Sequence, residues 1–155
     1  MTRVPNIILI AEDDEDDFLL TRDAFREAGL QTRLIWVRDG EELMDYLCRR
    51  KPYADPASSP RPALILLDLN MPRKDGREAL KEIKSDPGLR SIPILTLTTS
   101  NAMEDIRYTY GLGVNSFIRK PVGFNRFLDL VKAIDQYWFR VVRLPSTVEE
   151  SAQHG

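Results

Sequence analysis

Four short apolar runs of this chain end in residues that could do chemistry together. Ala63-Leu-Ile-Leu-Leu67 runs into Asp68, Ile7-Ile-Leu-Ile-Ala11 into Glu12 and Asp13, Ile92-Pro-Ile-Leu-Thr-Leu97 into Thr98, and Ser116-Phe-Ile-Arg119 into Lys120. Three carboxylates gathered at one place would repel each other, and a hard divalent ion is their natural partner; Mg²⁺ favours a few carboxylates plus waters and phosphate oxygens. Lys120 adds a fixed positive charge, and Thr98 a hydroxyl able to donate to an incoming oxyanion. Such a set suits phosphoryl transfer, where positioning and charge neutralisation supply most of the catalysis. Asp68 is then the candidate nucleophile, forming an aspartyl phosphate. Glu12 and Asp13 would hold the metal, because they follow Ala11 directly whereas Asp14 already begins a turn. Alone, Asp68 would read as a loop cap through Asx-turn chemistry; the agreement of four strand ends is what changes its meaning.

The elements that must position these residues alternate along the chain. Apolar runs of this length read as strands buried on both faces of a parallel sheet, and a further strand is expected at Leu34-Ile-Trp-Val37. A first helix is expected from about 16 to 28, with Phe18, Thr21, Phe25 and Ala28 at helical spacing before Gly29. A second carries Leu43, Met44 and Leu47, and a third carries Ala79, Leu80 and Ile83 and stops before Pro87-Gly88. A fourth carries Ala102, Ile106 and Thr109. The last helix is expected from about 123 to 142, with Phe124, Phe127, Val131, Ile134, Trp138 and Val141 on one stripe. Residues 49–62, with Pro52, Pro56, Pro60 and Pro62, read as a loop. The order implies an α/β fold: a doubly wound five-stranded parallel sheet, order 2-1-3-4-5, with five helices. In that order strands one and three are neighbours, and their ends meet at the switch point where ligands bind.

Composition supports one ordinary domain. The chain has 155 residues, 43% hydrophobic and 30% charged, as in a soluble globular protein. Its 22 basic and 24 acidic residues nearly cancel, so no net field favours nucleic acid or a membrane surface. No stretch approaches the roughly 18 apolar residues of a membrane span. The single cysteine, Cys48, fits a reducing compartment, and a cytoplasmic location is expected. The only histidine, His154, lies in a polar stretch, 146–155, expected to be a frayed tail, so the domain is expected to span 1–145.

Taken together, Ile-Leu-Ile-Ala-Glu12-Asp13, Leu-Leu-Asp68-Leu-Asn-Met-Pro72, Leu-Thr98-Thr-Ser and Phe117-Ile-Arg-Lys120-Pro121 resemble the receiver domains of two-component response regulators, whose fold is flavodoxin-like. The resemblance implies phosphorylation of Asp68 by a histidine kinase. It implies Mg²⁺, for which Mn²⁺ or Ca²⁺ could substitute, on Asp13, Asp68 and the Asn70 main-chain carbonyl, with Glu12 acting mainly through water. It further implies that Thr98 and Lys120 contact the phosphoryl group, that Phe117 fills an aromatic switch position beside Thr98, and that the bond to Pro121 is cis. Arg73-Lys-Asp-Gly-Arg77, Gly113–Val122 and Tyr137–Pro145 look like the small regulators that partner bacterial phytochrome kinases, which would imply a light-responsive pathway and a homodimer.

The interface of that dimer is expected on the face of the fourth helix, fifth strand and fifth helix, with Phe117, Tyr137, Trp138, Phe139, Val141 and Val142. The last five are aromatic or apolar residues hard to bury together once the sheet is covered. With little chain after residue 145, output is expected through protein contact. A Mg²⁺-dependent aspartyl-phosphate phosphohydrolase is the alternative, but such enzymes commonly carry a second acid two residues after the nucleophile, where Asn70 cannot donate a proton in that role. A flavin-binding domain would want a phosphate loop after the first strand, where this chain has six successive acids, Glu12 to Asp17.

Overall fold

The computed structural model describes residues 6–100 and 102–145. Five strands, β1 (Ile7–Ala11), β2 (Arg33–Val37), β3 (Leu64–Leu67), β4 (Ile94–Thr98) and β5 (Ser116–Arg119), form one sheet in the order β2-β1-β3-β4-β5. Every pairing is parallel. The helices are α1 (Glu15–Glu27), α2 (Gly40–Leu47), α3 (Gly76–Ser85), α4 (Met103–Gly111) and α5 (Phe124–Gln136). Fold and strand order are those expected. Among the described residues no helix is long and apolar enough to cross a membrane.

The two-residue period of the strands divides the core. Leu9, Ala11, Ile65 and Leu67 face α2 and α3, packing on Leu43, Leu47, Leu80 and Ile83. Ile8, Ile10, Leu64 and Leu66 face α1 and α5, packing on Phe25, Phe127, Val131 and Ile134. All four residues of β3 are at most 2% exposed, as a strand covered on both faces requires. Helix α4 differs, since Thr109 is its only buried residue.

Two Asp-Gly pairs start helices beside the site. Asp39 and Asp75 cap α2 and α3 by accepting the amides of Glu42 and Glu78. The following glycines let backbone press on backbone: a Cβ at Gly76 would lie 2.3 Å from the Asp68 carbonyl oxygen, and one at Gly40 2.0 Å from that of Lys74.

The carboxyl-terminal segment departs from expectation. Helix α5 ends at Gln136, and Tyr137–Val141 form a π-helical turn closed by the Val142 amide on the Tyr137 carbonyl at 3.0 Å. The wider turn shifts the helical phase by a residue. Trp138 and Phe139 thereby pack partly against the α1 and α5 core, while Tyr137 and Val141 stay exposed and Val142 half-buried. Three of the five residues are thus half-buried, where the sequence suggests that they are hard to bury together. The 49–62 loop contains one 3₁₀ turn, Lys51–Tyr53, and is tied to α2 by the Tyr46 hydroxyl on the Pro60 carbonyl (2.6 Å) and the Tyr53 hydroxyl on Glu42 (3.1 Å). The expected tail at 146–155, with His154, lies outside the described residues.

Candidate functional site

Strand register brings the chemistry together. Ala11 pairs with Leu67, so the residues that follow, Glu12 and Asp68, emerge side by side at the carboxyl edge. Leu67 pairs with Thr96 and Thr98 with Arg119, which sets Thr98 and Lys120 at the same edge. Main-chain bonds extend the ladder past the strands: the Asp68 amide donates to the Ala11 carbonyl (3.0 Å) and the Lys120 amide to that of Thr98 (2.8 Å). The Glu12 amide donates to the Val37 carbonyl (3.0 Å), and the Trp36 indole N–H to the Glu12 carbonyl (2.7 Å). Trp36 is itself held between the stacked Phe18 ring, 4.3 Å away, and the Arg38 guanidinium, 4.2 Å from its centroid.

The ammonium of Lys120 is the centre of the site. Its side chain is 9% exposed and donates to Glu12, to Asp17 Oδ2 at 2.7 Å and to Asp68 Oδ2 at 3.1 Å. The other oxygen of Asp68 accepts the Asn70 amide at 3.0 Å. Asn70 in turn directs its side-chain amide at Thr98 Oγ1, 3.5 Å away, and that hydroxyl also accepts the Ser100 amide at 3.3 Å. Glu12, Asp13 and Asp68 each present an oxygen within 4.8 Å of the others. Asp14 instead caps α1, accepting the amides of Asp16 and Asp17.

Negative charge exceeds positive charge here, with Glu12, Asp13, Asp17 and Asp68 gathered about one ammonium, and the groups' pKa values shift accordingly. Burial, with Asp68 alongside, pushes the Glu12 carboxyl from 4.5 up to about 10, against the pull of Lys120. Burial acts to raise Asp68 as well, but hydrogen bonding with Glu12, the Lys120 charge and the Asn70 amide outweigh it and hold Asp68 below its usual value. Burial acts to lower Lys120, and its bonds to Asp17 and Glu12 prevail, raising it. The two carboxyls titrate as one coupled unit, with Glu12 held above its usual value and Asp68 below it.

The site also fits a hard cation. Glu12 Oε2 is buried with no hydrogen-bond partner, and Asp13, the third acid, is open to solvent. That atom is orphaned when Glu12 is ionised, and an oxygen-ligated divalent ion would replace the proton otherwise shared with Asp68, satisfying the atom and the surplus charge together.

Not every expected site residue joins this group. Phe117 sits half-buried on β5, its amide donating to the Tyr110 hydroxyl at 3.1 Å, and Tyr137 to Val142 lie at the end of α5 remote from the carboxyl edge. The expected cis bond at Pro121 is a correction: among the described residues every peptide bond is trans. Trans is the lower-energy form even before proline, by about 0.5–1 kcal/mol.

Two features escaped the sequence reading. Asp17 is a direct partner of Lys120, although within Glu12–Asp17 it looked like one acid among six. Its signal was phase: Asp17 lies four residues before Thr21 and seven before Ala24, both buried on α1. The second is a clamp of Arg77, at the start of α3, on Asp105 of α4, with two N–H to O distances of 2.6 Å and the Ser100 hydroxyl on the same carboxylate.

Residues 8–132 match the model of the response regulator receiver domain. This chain belongs to that family. The receiver domain is 39% identical over 142 residues to the response regulator Rcp1 of Synechocystis, covering 92% of this chain and 95% of Rcp1. It is 40% identical to the probable methanogenesis regulatory protein FilR2 of Methanothrix harundinacea, covering 91% of this chain and 88% of FilR2. Among solved structures, the phosphorylated cyanobacterial phytochrome response regulator RcpA is 41% identical, with a TM-score of 0.85 over 92% of this chain and 99% of RcpA. The Mn²⁺-bound form of Rcp1 is 40% identical, with a TM-score of 0.82 over 91% and 99% of the two chains.

Proposed function

We propose that this receiver domain accepts a phosphoryl group on Asp68 from a histidine kinase, in a reaction that needs a divalent ion, and signals through its own surface. The observation that carries the reading is the buried Asp68 carboxyl, hydrogen-bonded by Lys120 and by the Asn70 amide, beside an acidic cluster with an unsatisfied oxygen. Asp68 is the nucleophile, and the amide of Asn70 and the ammonium of Lys120 fix its two oxygens. Asp13, Asp68 and the Asn70 carbonyl would hold Mg²⁺, with Glu12 reaching it through water. The ion, when bound, neutralises charge on the transferring phosphoryl oxygens. Lys120 and Thr98 then take up the added charge, and movement of Thr98 leaves room for Phe117 to turn inward.

The partner is a phytochrome kinase, a reading supported by the likeness to RcpA. FilR2, as similar, is a probable methanogenesis regulatory protein, so the kinase must be tested. Purified phytochrome kinases and unrelated histidine kinases, each labelled with phosphate, are mixed with the receiver domain in Mg²⁺. Faster transfer from the phytochromes is expected; equal or slower transfer contradicts the link. The domain spans 1–145 and works in the cytoplasm as a homodimer through α4, β5 and α5, with Phe117, Tyr137, Trp138, Phe139, Val141 and Val142 at the interface, of which Tyr137 and Val141 are exposed. It has no part in binding nucleic acid or membrane. A single monomeric mass by light scattering at tens of micromolar, phosphorylated and not, would refute the dimer.

A further inference from the structure

The three N–H donors of Lys120 are all spent, and only one of them points at the proposed phosphoacceptor. An ammonium offers three donors and no acceptor. Here they go to Glu12, to Asp17 at 2.7 Å and to Asp68 at 3.1 Å. Asp17 is firmly placed for this: Asp14 accepts its amide at 3.2 Å, and its carbonyl accepts the Thr21 hydroxyl at 2.9 Å. Lys120 and Asp17 line one small cavity together with Ile10, Leu66, Leu97 and Phe127, and low dielectric of this kind strengthens a charge pair. Asp17 lies outside the cluster of Glu12, Asp13 and Asp68 that could hold a cation.

We propose that Asp17 is a positioning residue for Lys120. With Glu12 it anchors two donors of the ammonium, so that the third stays aimed at Asp68 and, after transfer, at a phosphoryl oxygen. The proposal rests on Asp68 being the phosphoacceptor. In the step concerned an Asp68 oxygen forms a bond to phosphorus as the bond from phosphorus to the donor's leaving atom breaks, a ring nitrogen in phosphohistidine or an acetate oxygen in acetyl phosphate. With acetyl phosphate, acetate departs with that electron pair and no proton is needed. Without Asp17 the ammonium loses a fixed negative partner and an anchor, and misplaced groups slow such steps steeply.

The test compares Asp17→Asn, Asp17→Glu and wild type for phosphoryl uptake from acetyl phosphate across Mg²⁺ concentrations. Asp17→Asn should slow uptake about tenfold, the scale seen for outer-shell partners, with half-saturating Mg²⁺ unchanged and much of the rate restored by Asp17→Glu. In a Lys120→Ala background Asp17→Asn should have no further effect. A rate within twofold of wild type, a drop that persists without Lys120, or a loss explained by weaker Mg²⁺ binding would overturn the role. Labelling of Lys120 by an amine-acylating reagent, read by mass spectrometry, reports the anchor with no phosphoryl group involved. It should rise in Asp17→Asn, and unchanged labelling overturns the proposal. Wild type that takes up no phosphate would instead defeat the assignment of Asp68 and leave labelling to decide Asp17.

Discussion

Lys120 and Arg77 both bridge elements distant in sequence, yet they hold different kinds of charge. Lys120 is a buried point charge shared by three carboxylates, so the cluster is over-supplied with negative charge. Arg77 grips one carboxylate, Asp105, through a matched pair of bonds, with Asp75 at the looser distance of 3.8 Å, and more of its side chain reaches solvent, 29% against 9% for Lys120. An unbalanced, enclosed cluster fits a cation, while the clamp, with its matched pair of bonds, holds two elements together. The clamp has work to do because α4 buries so little of its own surface.

The contrast is broken most severely at Lys120. Lys120→Met leaves buried carboxylates facing each other and should cost about 3 kcal/mol without divalent ions, since removing one partner of a buried pair exposes the other's desolvation. Urea unfolding with and without Mg²⁺ measures this, and the ion should restore part of the loss. The same cluster predicts a pH slope. Glu12 is raised from 4.5 in the unfolded chain to about 10 in the fold. The folded state therefore binds the extra proton between those values, and this contribution to stability is full below 4.5 and lost as pH rises toward 10. Divalent ion should flatten the slope; an ion-independent slope would mean that Glu12 is not part of the cation site.

Gly76 sits between the two regions. A Cβ there meets the Asp68 main chain at 2.3 Å, so Gly76→Ala should cost about 2 kcal/mol, in the range for overpacking. It should also weaken Mg²⁺ binding by moving Asp68. Loss of stability with unchanged Mg²⁺ affinity would separate α3 from the site.

Arg77→Ala should cost less, about 1 kcal/mol, as partly exposed pairs do. Asp105 is held below its ordinary carboxylate value, first by the Arg77 hydrogen bond. Its contribution is present above the unfolded value and lost as pH falls through the folded one, so the penalty of Arg77→Ala should shrink in acid. Urea midpoints at pH 7 and pH 3 check this.

The same contrast shows where sequence was informative. Glu12, Asp13, Asp68, Thr98 and Lys120 could be placed because each follows an apolar run whose length and direction a parallel sheet dictates. The Arg77 and Asp105 clamp could not, because two side chains 28 residues apart on different helices leave no local pattern. Asp17 was legible in principle, from its phase on α1. The end of α5 misled because apolar spacing alone does not mark a π turn, and that turn decides that Trp138 packs inward while Val141 does not.

The central claim is that Asp68 is the phosphoacceptor within a cation-dependent cluster. Intact-mass and peptide mass spectrometry after incubation with acetyl phosphate test it directly. One phosphoryl group should appear on the Asp68 peptide in Mg²⁺, and none with the ion chelated or in Asp68→Asn. Uptake by Asp68→Asn, or on any other residue of the wild type, would contradict the account.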